Sequence, residues 1–335
     1  MGQRRIESPF SVKVLIVKLS SLGDVVHAMP AVQDLRRAFA GAQIDWVVER
    51  ALVPLVARCD GVRRVIACEQ GRWRKVPFSK ATRTQWAAFR SELRQEAYDA
   101  VIDLQGSAKS ALVSWLARTA PRARRYGLVN PTDGSSFEAP ARWVADVAIE
   151  LEPHVHAVER ARVLCAAAFK YETNGAARFG LKPGALAVPL PPVVRHGHVA
   201  NPFAARRPMV ALVHGTARAE QQWPVASWVV LGQRLNHSGF AVALAHGNAA
   251  EKATSEAIAS QLDDVWVWPT MGLDALIDTM ARCAGVLGVD NGLSHIAVAL
   301  GLPHVQIYKL DTAPQPDVDA VWSAWESLAT PVLCR

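Results

Sequence analysis

The chain has 335 residues, half of them hydrophobic, with a formal charge of +7 and a pI near 9.4. That length predicts two domains of ordinary size, and no apolar run reaches the roughly 18 residues of a membrane-spanning helix. Five widely spaced cysteines without a C-x-x-C fit reduced thiols and suggest neither a disulfide framework nor a zinc site, and the basic balance points to an anionic partner.

Met1 to Pro9 is polar and shows no apolar segment with a cleavage site, so no signal peptide is expected. Val12 to Leu19 reads as a buried strand. The turn Ser20-Ser21-Leu22-Gly23 and the carboxylate Asp24 follow, and then a helix from Val25 to Phe39 with Val26, Met29, Val32, Leu35 and Phe39 near one face. Gln43 to Glu49 and Val62 to Ala67 are the next strands, Thr84 to Ala97 a helix, and Ala100 to Leu104 a fourth strand ending in Gln105-Gly106. Helices from Lys109 to Arg118 and from Val155 to Phe169 close this half. Strands alternating with helices at this spacing predict a parallel, doubly wound α/β sheet.

Between Arg63 and Arg83 lie Arg63, Arg64, Arg72, Arg74, Lys75, Lys80 and Arg83 against the single acid Glu69, with Trp73 and Phe78 interleaved. A solvated, mobile loop would account for this composition. So would a site for phosphate or carboxylate groups, where guanidinium forks bind bidentately and aromatic side chains dip into a lipid interface. No helix-turn-helix, RNP-like or zinc-finger pattern accompanies the stretch, so nucleic acid is not the expected partner.

Gly180 to Pro208 carries six prolines and reads as an interdomain connection with some short strand pairing. The expected domains are therefore 1–180, a linker over 181–208, and 209–335. In the second, strands Met209–Val213, Ala241–Ala245, Val265–Trp268, Val286–Val289 and His304–Tyr308 alternate with helices Val225–His237, Glu251–Leu262, Leu273–Arg282 and Gly292–Leu300. Two such units around a Pro-rich hinge predict a cleft between facing sheet edges.

Three loops of the second half carry polar residues right after strands: His214 to Pro224, with Thr216, Arg218 and Gln221; His246-Gly247-Asn248 with Glu251 behind it; and Gly288 to His295, with Asp290, Asn291 and Gly292. The last leads a turn straight into a helix, a geometry that presents free N–H groups to a diphosphate. Capping would equally explain Asp290, Asn291 and Asp24, packing would explain His295, and the helix dipole would explain Glu251. All of them follow strands, however, and the carboxyl ends of the strands are where open α/β sheets bind ligands. No G-x-G-x-x-G follows a strand, which argues against a nicotinamide-dependent oxidoreductase.

The motifs Val14-Leu15-Ile16-Val17-Lys18 with Ser20-Ser21-Leu22-Gly23-Asp24-Val25, Asp45-Trp46-Val47-Val48-Glu49, Arg72-Trp73-Arg74-Lys75, Tyr98 to Asp103 with Gln105-Gly106, His156-Ala157-Val158-Glu159-Arg160 and Val289 to His295 occur in one order. In that combination the chain resembles the lipopolysaccharide heptosyltransferases, glycosyltransferase family 9, from about Val12 to about Tyr308. The resemblance implies a GT-B fold of two Rossmann-like domains facing each other across a cleft. It implies inverting, metal-independent and cofactor-free transfer of L-glycero-D-manno-heptose from ADP-heptose to Kdo of Kdo2-lipid A, in peripheral contact with the anionic cytoplasmic face of the inner membrane. Matched residue by residue, Asp24 takes the catalytic base position. Thr216, Arg218, Gln221, Glu251, Met271, Asp290, Asn291, Gly292 and His295 fall on the donor side, and Ser21, Gly23, Arg72, Arg74, Lys75 and Gln105 on the acceptor side.

The chain also departs from the family's pattern. Ala217 and Gln221 stand where relatives carry a second hydroxyl and a lysine that contacts the donor phosphate, so Arg218 or Lys309 would have to supply the charge. Tyr308-Lys309-Leu310-Asp311-Thr312 replaces a Tyr-Gly-Pro-Thr stretch, and Val318 to Leu328 is the candidate for a closing helix. These departures keep open a related transferase with another donor or a later heptose acceptor, and a weakened relative that binds without transfer.

Overall fold

The structure is a computed structural model that describes residues 12–184, 193–195, 198–200, 207–216, 219–307 and 315–333. The chain divides into two compact units, Met1–Lys182 and Pro183–Arg335. At the end of the first, Asp60 N–H donates to Gly180 O, Leu181 bridges to Cys59, and Lys182 N–H donates to Arg58 O. The chain thus stays with the first unit two residues past Gly180. Most of the Pro-rich stretch lies outside the described residues.

The first unit runs β1 (Lys13–Val17), α1 (Leu22–Ala38), β2 (Gln43–Glu49), α2 (Val53–Val56), β3 (Val62–Cys68), α3 (Gln70–Lys75), α4 (Lys80–Leu93), β4 (Tyr98–Asp103), α5 (Ala108–Leu116), β5 (Thr119–Leu128), α6 (Ala139–Val144), β6 (Val147–Ile149) and α7 (Ala157–Phe169). Its six strands are all parallel, in the order β3-β2-β1-β4-β5-β6. Val14 to Val17 are fully buried because β1 is central and covered on both faces.

Two strands here escape the hydrophobic pattern. β5 reads Thr-Ala-Pro-Arg-Ala-Arg-Arg-Tyr-Gly-Leu, with Arg122 at φ 68° and a register shift against β4, and β6 is a three-residue edge strand. Helix starts also move. The first helix begins at Leu22, which brings Asp24 into its first turn, and the helix expected from Thr84 begins at Lys80, where Ser79 Oγ accepts the Thr82 N–H. The basic stretch is ordered structure: Arg63 and Arg64 belong to β3, and Arg72, Arg74 and Lys75 to α3.

The second unit contains a short antiparallel pair, β7 (Val193–Arg195) and β8 (His198–Ala200). There follow β9 (Met209–Val213), α8 (Val225–His237), β10 (Ala241–Leu244), α9 (Ala249–Ala259), β11 (Val265–Val267), α10 (Leu273–Met280), β12 (Gly285–Val289), α11 (Gly292–Ala299), β13 (His304–Ile307) and α12 (Val318–Leu333). The parallel sheet is ordered β11-β10-β9-β12-β13. α12 extends past the expected Leu328, and its Trp325 packs edge-on against Phe240. A Cβ at Gly285 would come within 2.5 Å of the Trp325 ring, so glycine is required where this helix seats on the sheet.

Both sheets reverse their strand order once, between β1 and β4 and between β9 and β12. At such a switch point the connections leave in opposite directions and open a crevice at the carboxyl ends of the two strands. No described helix is long and apolar enough to cross a membrane.

Candidate active site

In the first unit the switch point is occupied by residues from β1, β4 and α7. Asp24 is the third residue of α1. Its Oδ2 accepts from the Ser21 N–H at 3.2 Å and the Ser21 Oγ–H at 3.1 Å, which closes a capping box with Ser21 as the cap. Its Oδ1 is turned elsewhere, 3.6 Å from Lys18 Nζ and 3.8 Å from Arg160 Nη2. Asp24 therefore both caps the helix and carries a second oxygen aimed at two cations. Burial would raise its pKa, but Lys18, the Ser21 bonds and Arg160 together hold it below the ordinary carboxylate range.

Lys18 and Arg160 are nearly fully buried, and burial lowers the pKa of both against the pull of Asp24. Arg160 is held in place by donating from Nη1 to Thr132 Oγ1 and Asp133 O. Asp103, at the end of β4, accepts from the Gln105 and Gly106 N–H groups and from Ser110 Oγ–H, yet full burial pushes it up to about 6. Gln105 in turn accepts the Leu19 and Ser20 N–H groups on Oε1 and donates from Nε2 to Ser136 Oγ. Ser21, Asp24 and Gln105 are thus joined across β1 and β4, with Gly23 in the same helical turn.

The remaining acceptor-side candidates stand on α3, whose parent strand β3 is two strands from β1, about 10 Å across the sheet. Arg72 and Arg50 both pair with Glu69, while Arg74 and Lys75 are exposed. Trp73 points inward against Trp86 and Phe89, so it anchors the helix and is not part of an exposed aromatic series. Arg63 and Arg64 are likewise structural, because both bind the fully buried Asp45.

In the second unit Thr216, Glu251, Met271 and Asp290 follow β9, β10, β11 and β12, and so line one carboxyl edge. Asn248 Oδ1 caps α9 through the Glu251 N–H, and Glu251 returns by accepting from Gly247 N–H and Asn248 Nδ2. That carboxylate and the backbone of Gly215 are so close that a Cβ there would stand 2.7 to 3.0 Å from it. They line a cavity of about 210 Å³ with His214, Thr216, Asn248 and Thr254. His214 donates to or accepts from Ser255 Oγ at 2.7 Å, and burial lowers its pKa, favouring the neutral ring.

At β12 the two expected caps separate. Asn291 is the cap of α11, accepting the Leu293 N–H at 2.9 Å and donating to Gly215 O. Asp290 instead pairs with His295 Nε2 at 3.3 Å and accepts from Gln306 Nε2. Gly292 opens α11, and Ser294 Oγ donates back to Val289 O. Met271 is half-buried, its sulfur 3.7 Å from the Thr279 hydroxyl. Thr216 Oγ1 donates to Gln221 Oε1 at 3.4 Å. Ala217, Arg218 and Lys309 lie outside the described residues.

Lys18, Arg160 and Asp103 have no role in the sequence reading, although all three stand inside quoted motifs. The available signal is a lysine closing an otherwise apolar strand, where an unpaired charge would be costly.

Two Rossmann-like units, each with polar side chains gathered at its strand-order reversal, define an α/β protein of the GT-B fold class. The family model for glycosyltransferase family 9 (heptosyltransferase) matches residues 86–317. The chain is 35% identical over 298 residues to lipopolysaccharide heptosyltransferase 1 of Pseudomonas aeruginosa, covering 88% of this chain and 78% of the relative. It also superposes on the E. coli heptosyltransferase WaaC with ADP, at TM-score 0.76 and 30% identity over 90% of this chain and 89% of the other. The same enzyme with ADP-2-deoxy-2-fluoro heptose gives TM-score 0.75 and 28% identity over 96% and 100%. The chain belongs to glycosyltransferase family 9, and it is a glycosyltransferase.

Proposed function

We propose that this glycosyltransferase moves L-glycero-D-manno-heptose from ADP-heptose to the Kdo of Kdo2-lipid A, as heptosyltransferase I, in lipopolysaccharide inner-core synthesis at the cytoplasmic face of the inner membrane. The observation that carries the reading is the likeness along 96% of the chain to a transferase whose bound ligand is an ADP-heptose analogue.

The transfer is inverting. The acceptor hydroxyl oxygen bonds to the anomeric carbon as the bond from that carbon to the phosphate oxygen breaks on the opposite side. The hydroxyl proton passes to Asp24, and ADP departs with the electron pair. Asp24, with its lowered pKa, is a weak base in the ground state. It accepts the proton late, once the attacking oxygen has become acidic. No metal takes part in this reading. Charge on the leaving diphosphate is met by the N–H groups at the start of α11 and by cationic side chains, Arg218 among them. Thr216, Gln221, Glu251, Met271, Asp290, Asn291, Gly292 and His295 hold the donor. Ser21, Gly23, Gln105, Arg72, Arg74 and Lys75 hold the acceptor, the last three as cations for its acidic groups.

Incubation with ADP-heptose and Kdo2-lipid A tests the reading. It predicts ADP release that depends on both substrates and a mass gain of one heptose on the acceptor. No release with either the natural or a de-acylated acceptor overturns it.

A further inference from the structure

The structure assigns a bilayer-docking face to the first unit: the outer side of α5 and α6, continuous with the basic turn between α3 and α4, fits the surface of an anionic lipid membrane. This rests on the functional reading above, in which the acceptor is anchored in a membrane.

The face is one layer. The steps from β4 through α5 to β5 and from β5 through α6 to β6 go the same way across the sheet, so right-handed crossovers put both helices on the same side. Val113 and Leu116 of α5 share a buried cluster with Trp73 of α3 and Phe89 and Leu93 of α4, which places α3 and α4 over that side as well. The starts of α3, α5 and α6 are also tied together, since Gln70 Nε2 donates to Lys109 O and the Ala108 N–H donates to Glu138 Oε2.

The outward side of this layer is unlike an ordinary polar surface. α5 turns Lys109, Leu112 and Trp115 to solvent, with Leu112 42% and Trp115 62% exposed, and α6 adds Trp143 at 80%. Phe78, 90% exposed, sits in the turn after α3. Between Arg72 and Arg83 that segment holds five cations and no acid, and Lys109 and Arg142 flank the tryptophans. Exposed indole rings flanked by Lys109 and Arg142, beside a five-cation segment that outweighs the exposed Glu138 and Asp146, suit the headgroup zone of an anionic bilayer, where rings partition and cations meet phosphates. A second copy of the chain is a poorer occupant. A two-fold contact would bring two such faces together, each with Arg74, Lys75, Lys80 and Arg83 in excess over Glu69, which already pairs with Arg72.

The test measures binding of the whole chain to phosphatidylcholine vesicles with and without phosphatidylglycerol. The wild type is expected to bind only the anionic vesicles. The double variant Trp115→Ser/Trp143→Ser is expected to bind at least about tenfold more weakly, with unchanged turnover of a de-acylated acceptor. Equal binding by wild type and variant, or no binding by the wild type, overturns the assignment. So does a dimeric wild type that the substitutions make monomeric, which would mark a self-association face. Vesicle binding needs no turnover, so a wild type that binds vesicles but transfers no heptose contradicts the functional reading alone. If the double variant fails to fold, bromolipid quenching of wild-type fluorescence substitutes for it. Quenching supports the face, because Trp115 and Trp143 are the two most exposed tryptophans, and none overturns it.

Discussion

Lys18 holds its ammonium 3.6 Å from Oδ1 of Asp24, in a position almost closed to solvent. A buried lysine beside a half-buried carboxylate keeps that carboxylate ionised to lower pH, and burial of the lysine is tolerated because Asp24 and Asp103 oppose it. In the proposed mechanism the acid limb of the rate profile reports the protonation of Asp24. Lys18→Met should therefore move the acid limb of kcat/KM to higher pH. An unmoved limb, in a variant that still folds, would show that another group sets it.

Stability should respond to pH in opposite senses in the two units. Asp103 is pushed up to about 6 by burial, so in acid the folded chain keeps a proton that the unfolded chain has lost. Its contribution falls as pH rises from the ordinary carboxylate range to about 6. His304 is pushed down to about 4, first by burial and then by His295, so its contribution is present above the unfolded value and is lost as pH falls toward about 4. Denaturant titrations across this window should show a shallower fall with rising pH in Asp103→Asn. His304→Gln should show a smaller loss with falling pH.

Asp45 is fully buried and accepts from Arg63, Arg64 and the Tyr98 hydroxyl, the last at 2.8 Å. Removing the negative charge leaves two guanidinium groups facing each other at a closed strand pair. Asp45→Asn is expected to cost about 2 to 4 kcal/mol in urea denaturation while changing kcat/KM by less than about twofold. A fall in activity with unchanged stability would instead place Asp45 in the site.

These contrasts show what the sequence makes legible. Both parallel sheets and the polar loops behind the strands follow from alternating apolar runs and helical periodicity, and Asp24, Glu251 and Asp290 stand in the segments that follow strands; the strand order that makes the switch points comes from the structure alone. β5 is hidden because three of its ten residues are arginine and one is proline. Arg63 and Arg64 look like part of an anion site because their partner, Asp45, is eighteen residues upstream and joins them only when β2 and β3 pair. Arg160 meets Asp24 only through the packing of α1 on α7, a contact of long sequence separation with no local signature.

Gln221, which the resemblance sets where a lysine is expected, accepts a hydrogen bond from Thr216. If cationic residues such as Arg218 already meet the leaving phosphate, a new ammonium adds little. Gln221→Lys should change kcat/KM by less than about threefold, and Arg218→Gln should lower it by about tenfold or more. A large gain from Gln221→Lys would show a donor site short of charge.

The most direct measurement of the central claim is turnover of Asp24→Ala beside its affinity for ADP-heptose. The account predicts a loss of at least about a hundredfold in kcat with donor binding nearly intact, since the proposed role of Asp24 is toward the acceptor hydroxyl and not the donor. Unchanged turnover would contradict it and move the base elsewhere.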